Sequence, residues 1–326
     1  MIVDLPAPIF VVGHPRSGTT LLASMLGRHP VIASTPESLF LSQTRYDMLD
    51  VFGGIPDQIA ARIMRTPMRH LADSNDGLTA ALIFAQQTGS KLDQRDVFAT
   101  VLDAYRTAQG KKRVLEKSPL HMRHIDELLT WFPDARILWI IRDGRANIAS
   151  LQKVPWATHD AKTLALQWVR NVALALDSEG RAKDSVLQIR FEELVHDPVS
   201  TMQTILHHIG VSASDAIFDH RHPATTIKPS ETDWKQNVNR PLQTARAEAW
   251  RHELTAADQL VCARIMNPTL AVLGYTPEGR GPGPIAKLGR SVFYSPVSLW
   301  LMRRAFHLSR SLKGPKQAHK LTKTTP

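Results

Sequence analysis

The sequence predicts an α/β protein of three layers, a central parallel sheet with helices on both faces and a helical insertion between two strands. Three observations predict this. Short, largely apolar runs recur at Ile9–Gly13 (IFVVG), Arg136–Ile141 (RILWII) and Ser185–Arg190 (SVLQIR), and a strand apolar on both sides belongs inside a parallel sheet covered on both faces. Each run passes directly into a segment of helical character, and this alternation is that of crossover units. Between the first two runs, from about residue 38 to about residue 110, strand signals are few, and Ile59, Ile63, Leu78, Leu82, Val97, Val101 and Tyr105 fall at helical spacing.

The first unit is the most informative. IFVVG is followed by HPRSGTT and the amphipathic LLASMLGRHP, which reads as strand, loop and helix. Gly13 and Gly18 stand five apart and Thr20 closes the loop with a hydroxyl, the spacing of a P-loop, so the three-layer fold is expected to be of the P-loop type. Glycines there let backbone N–H groups converge on a phosphate, and the helix that begins at the loop adds its positive dipole end. Thr19 occupies the position where nucleoside triphosphatases carry the lysine that bridges two phosphates. Its absence weighs against a small-molecule kinase or ATPase. Arg16 supplies the cation from inside the loop, where it can meet a terminal anion without a metal. A purely structural glycine turn would produce the same spacing.

The insertion serves as a lid or acceptor-binding wall, or as packing. After the second apolar run, Arg142 ends the strand, and Ser150 lies eight residues on, about two turns into the next helix. Both can face one phosphate only if the chain turns sharply at Gly144. Otherwise Arg142 makes a surface ion pair with Asp143, and Ser150 is an ordinary helix hydroxyl. Asp143 is also the one carboxylate placed like the metal-binding acid of a kinase. The domain is expected to span 1–279. GRGPGP reads as a linker, and 280–326 as a basic linker and tail in which Pro296 to Leu312 forms an amphipathic helix. Trp300, Leu301, Phe306 and Leu308 beside Arg303, Arg304 and Arg310 suit a membrane surface, and equally suit docking on the protein's own body or on a second subunit.

Composition narrows the partners. The 326 residues carry a formal charge of +10, which favours anionic partners. A nucleic-acid-binding protein would cluster aromatics among its basic residues, and here they are sparse outside the tail, so no nucleic acid is expected. One cysteine, Cys262, rules out an internal disulfide and reads as a helix core residue in a reducing compartment. Residues 1–8 lack a basic, then apolar, secretory pattern, and no window reaches the length of a membrane span. A cytoplasmic protein, with peripheral membrane contact through the tail, is the expectation. His121 with His124, and His220 with His222, have metal-like spacings, but no carboxylate completes a zinc motif, so no metal is expected.

PIFVVGHPRSGTTLL resembles the 5′-phosphosulfate loop of sulfotransferases that use 3′-phosphoadenosine 5′-phosphosulfate (PAPS), and ILWIIRDGRANIASL resembles their 3′-phosphate signature. HP at 29–30, Glu37, Glu116-Lys117-Ser118-Pro119, FPDAR at 132–136, FEELVHDP at 191–198 and Lys235 follow in the order of the tyrosylprotein sulfotransferase branch and its bacterial relatives. The resemblance covers most of residues 8–276. It implies that Arg16, Ser17, Gly18, Thr19 and Thr20 hold the 5′-phosphosulfate, and that Arg142 and Ser150 grip the 3′-phosphate. By the same resemblance Glu37 is the general base, Lys117 stabilises the leaving phosphate, and Lys235 contacts the donor beside Trp234. Departures occur around Glu37, where the chain reads Thr35-Pro36-Glu37-Ser38-Leu39 and lacks the family's second glutamate and following arginine. Glu37 would otherwise be a helix N-terminal carboxylate after Pro36, and Lys117 a solvated basic loop residue. The acceptor is a hydroxyl on a carbohydrate, lipid-linked group, small molecule or peptide. Related enzymes include dimers, which a homodimer here would match.

Overall fold

A computed structural model describes residues 5–43, 94–219 and 242–278. The expectations for residues 59–82, His220, His222, Trp234, Lys235, the linker and the tail lie outside the described residues. Five parallel strands form the sheet: β1 Ile9–Gly13, β2 Ile32–Ser34, β3 Arg113–Lys117, β4 Arg136–Ile141 and β5 Val186–Arg190, in the order β2-β3-β1-β4-β5. The three apolar runs are β1, β4 and β5, whereas β2 and β3 were not anticipated. β2 has only three residues, and the charged ends of β3 (RVLEK) disguise Val114 and Leu115, which are fully buried.

Alternation along the strands splits the core into two layers. Phe10, Val12, Val114, Ile137 and Trp139 face one side. There they meet α3 Gln94–Ala108, α4 Ile125–Trp131, α5 Gly144–Leu151, α6 Ala161–Arg181 and α10 Ala256–Val272, through residues such as Phe98, Leu128, Ile148, Trp168 and Met266. Ile9, Val11, Leu115, Leu138 and Ile140 face the other side, against α1 Thr19–Gly27, α7 Phe191–His196 and α8 Pro198–Ile209. Between β2 and β3, α2 Phe40–Gln43 precedes α3, and α9 Trp250–Glu253 precedes α10. The described part of the insertion, α3, is helical as its spacing predicts, with Val101 and Tyr105 buried.

Because every strand runs the same way, the loops after β1, β2, β3 and β4 gather at one edge of the sheet, where parallel α/β proteins bind ligands. Register brings Val11 opposite Lys117 and Gly13 opposite Ile140, so Lys117 and the glycine loop are neighbours. No helix among the described residues is long and apolar enough to cross a membrane.

Candidate active site

The loop after β1 ends at Gly18, which caps α1 with φ of 100°; a Cβ there would also sit 2.5 Å from the Phe191 ring. Only glycine meets both demands. Arg16 takes φ of 73°, a left-handed conformation that is costly for a residue with a Cβ. Its carbonyl is held at 3.2 Å by Arg142 Nη1.

Asn147 on α5 ties the loop down from inside. Fully buried, it donates from Nδ2 to the Pro15 carbonyl (2.9 Å) and Ser17 Oγ (3.0 Å), while Oδ1 accepts from His14 Nδ1 (2.9 Å). That arrangement requires a proton on His14 Nδ1. Burial pushes the His14 pKa down to about 4, against the bond to the Pro15 carbonyl and with help from Arg123 beside it. Sequence reasoning missed both His14 and Asn147. The available signal was an asparagine between Ala146 and Ile148 in a helix whose neighbours are apolar, since a polar group buried there must find partners.

The loop offers less backbone than expected. The Ser17 amide donates to the His14 carbonyl (3.1 Å) and its hydroxyl is taken by Asn147, so Ser17 braces the loop. Thr19 and Thr20 open α1, and first-turn amides have no carbonyl within their own helix to bond.

Around the loop lies a basic cluster. Arg142 is nearly buried, donates from Nη2 to the Arg246 carbonyl (2.7 Å), and stacks 4.6 Å over the Phe191 ring. Its Nε has no partner among the described residues. Burial first, then Arg246 and Arg16, lower its pKa to about 10, against the opposing pull of Glu192. Glu192 is engaged with the Asp143 amide (2.9 Å) and the Tyr275 hydroxyl (2.8 Å). Arg16 donates from Nε to Ser150 Oγ (3.1 Å), which brings Arg16, Arg142 and Ser150 into one group. The cation expected at the terminal anion therefore leans toward Arg142 and Ser150, the residues that the resemblance assigns to the 3′-phosphate. Arg246 joins the group, and no motif marked it.

Two local readings are corrected. Arg142 makes no surface pair with Asp143, because Asp143 caps α5 through the Arg145 amide (2.9 Å) and pairs with Arg145 at 2.6 Å. The turn falls at Asp143, and Gly144 is required for close packing, since a Cβ would strike Met266 and Trp168.

At the end of β3, Lys117 is fully buried and donates to Glu37 Oε2 at 2.6 Å. The solvated-loop reading of Lys117 fails for that reason. Glu37 also stands outside α2, which starts at Phe40, so its partner is an ammonium group rather than a helix end. His121 and His124 are both engaged, with Glu116 (3.1 Å) and Glu127 (3.0 Å), and no three His, Cys, Asp or Glu side chains converge on a metal position among the described residues. Cys262 is buried in α10, and burial pushes its thiol up to about 12.

Residues 8–215 match the sulfotransferase family, a span that takes in the loop, the Glu37–Lys117 pair and Arg142 with Ser150. The chain belongs to that family and is a transferase of sulfuryl groups. It is similar to protein-tyrosine sulfotransferase 1 of Danio rerio, at 25% identity over 86% of this chain and 75% of that protein. It is also similar to nodulation protein NoeE of Sinorhizobium fredii, at 26% identity over 84% of this chain and 67% of that one. The sulfotransferase domain of the Synechococcus PCC 7002 olefin synthase shares the fold, with a TM-score of 0.58 at 23% identity, covering 85% of this chain and 98% of that domain.

Proposed function

We propose that this protein moves the sulfuryl group of PAPS to an acceptor hydroxyl by direct in-line displacement, with Glu37 as general base. The observation that carries this reading is the second basic site. Arg16, Arg142 and Arg246 gather beside Ser150, one loop away from the first-turn amides of α1, which supports a donor with anions at both ends. Positive charge comes from side chains and amides, and the reading includes no metal. Lys235 is assigned to the donor by the resemblance alone.

In the transfer, the acceptor oxygen bonds to sulfur while its proton passes to a Glu37 oxygen. The bond from sulfur to the bridging oxygen breaks, and its electron pair leaves with the 5′-phosphate. Glu37 loses its charge in the same event. The buried Lys117 ammonium, 2.6 Å from Glu37, is thereby released to stabilise the charge growing on the leaving oxygen. The acceptor is a hydroxyl of a carbohydrate, lipid-linked group, small molecule or peptide. The single cysteine and the basic tail support a cytoplasmic enzyme with peripheral membrane contact.

Calorimetric titration with adenosine 3′,5′-bisphosphate and with ATP tests the donor site. Tighter binding of the bisphosphate is expected, and a preference for ATP in the presence of Mg²⁺ would overturn the reading. Incubation with labelled PAPS and a cell extract then identifies the acceptor from the labelled product.

A further inference from the structure

Next to Lys117 on β3, Glu116 is a carboxylate with no exposure to solvent. It accepts three side-chain hydrogen bonds: from Ser38 Oγ (2.6 Å), from Ser118 Oγ (2.6 Å) and from His121 Nδ1 (3.1 Å). Each donor is itself an acceptor for one backbone amide. Ser118 Oγ takes the Leu39 N–H (2.8 Å), Ser38 Oγ takes the Phe40 N–H (3.2 Å), and His121 Nε2 takes the Leu41 N–H (3.1 Å).

These bonds determine where the hydrogens lie. Because His121 Nε2 accepts, the imidazole is neutral and its proton is on Nδ1, aimed at Glu116. A carboxylate offers only acceptors, so it turns all three hydrogens toward itself and all three lone pairs toward the amides. Burial alone would raise the Glu116 carboxyl. His121 and the bonds from His121, Ser118 and Ser38 reverse that and hold it below the usual carboxylate range.

The three amides are consecutive, and they begin two residues after Glu37. Leu39 sits at φ of 55°, a strained conformation that relaxes unless something holds it. The Phe40 ring adds a stack on Phe98 of α3, centroids 4.5 Å apart. Glu116 thus fixes the chain on which Glu37 rides, and it is the covalent neighbour of Lys117.

We infer that Glu116 is a positioning residue for sulfuryl transfer, holding Glu37 against Lys117 through the Ser38, Ser118 and His121 relays. The inference rests on Glu37 as the base. An amide cannot reproduce the carboxylate: with its carbonyl in the place of Oε1 it keeps the two serine bonds, but its NH₂ group then faces the His121 Nδ1–H, a donor against a donor.

The test compares Glu116→Gln, Glu37→Gln and the double variant, using labelled PAPS and the acceptor identified above, alongside amide exchange in the full-length protein. Glu116→Gln is expected to lower kcat by about 10²-fold, the scale of a misplaced catalytic group. Bisphosphate affinity stays within about twofold, and exchange at Leu39, Phe40 and Leu41 accelerates while β1 and β4 stay protected. The double variant should be no slower than Glu37→Gln alone. Should the two losses instead multiply, or should Glu116→Gln leave kcat and exchange unchanged, Glu116 does not act through Glu37. An unaffected Glu37→Gln would instead remove the base assignment, and the exchange result would still report whether Glu116 holds residues 39–41. If Glu116→Gln does not fold, Ser118→Ala opens one relay; it should cost roughly tenfold in kcat and expose the Leu39 amide, and no change in either counts against the inference.

Discussion

The two halves of the site are held in different ways. On the β1–β4 side, main-chain geometry and several overlapping bonds fix the loop: Gly18 in its left-handed turn, Asn147 bonded to three loop residues, Arg142 on the Arg16 carbonyl. On the β3 side, the residues proposed for the chemistry form an ion pair whose members are 80 residues apart in sequence, Glu37 and Lys117. A buried charge that loses its ion-pair partner is costly, whereas a loop with redundant bonds tolerates the loss of one. Binding and turnover should therefore separate cleanly on substitution.

The sharpest break in that comparison comes from Glu37→Ala. Removing a general base costs about 10²- to 10⁴-fold, so kcat should fall by about 10³-fold. Adenosine 3′,5′-bisphosphate affinity should hold within a few-fold, because the donor half is untouched; titration calorimetry beside single-turnover rates decides this. A parallel loss of affinity would mean that the halves are one unit.

Arg142→Ala should do the reverse. It removes a nearly buried guanidinium from the basic cluster, and loss of a charge-assisted contact of this kind corresponds to about 10²-fold in bisphosphate affinity. At saturating donor, kcat should fall far less. Equal losses in affinity and turnover would place Arg142 in the chemistry.

His14 sharpens the comparison through pH. Its pKa is about 4 in the folded chain and about 6.5 when unfolded, so below pH 6.5 the unfolded state takes up a proton that the folded state refuses. Stability therefore falls as pH drops from 6.5 toward 4, by about 2 kcal/mol between pH 7 and pH 5 from this residue alone. Thermal denaturation of the protein and of His14→Asn, whose amide can still donate to Asn147, measures it. The variant should lose that part of the slope. An unchanged slope would show that His14 titrates freely.

Much of the fold was legible in the sequence. β1 and β4 are apolar on both faces, a pattern that marks buried parallel strands wherever they pack, and the edge strand β5 keeps enough of it in Val186, Leu187 and Ile189 to be read. β2 and β3 escaped because three residues carry too little pattern, and because Arg113, Glu116 and Lys117 look like a solvated loop until their partners are known. In the site, the glycine spacing and the RDGRA segment declared themselves, since they act through local backbone geometry. Arg246, His14 and Asn147 did not, since each matters only through what lies next to it across the fold.

The chain's order of residues was enough to determine the parallel sheet, the glycine loop after β1 and the family to which the chain belongs, because strand polarity and loop geometry depend on neighbours in sequence. Folding alone decided that Arg16 turns to Ser150, that Lys117 is sealed against Glu37, and that one carboxylate orients three relays onto consecutive amides. Those outcomes hinge on which side chains are driven out of water together, and burial of that kind exists only once the β1–β3 register has been set.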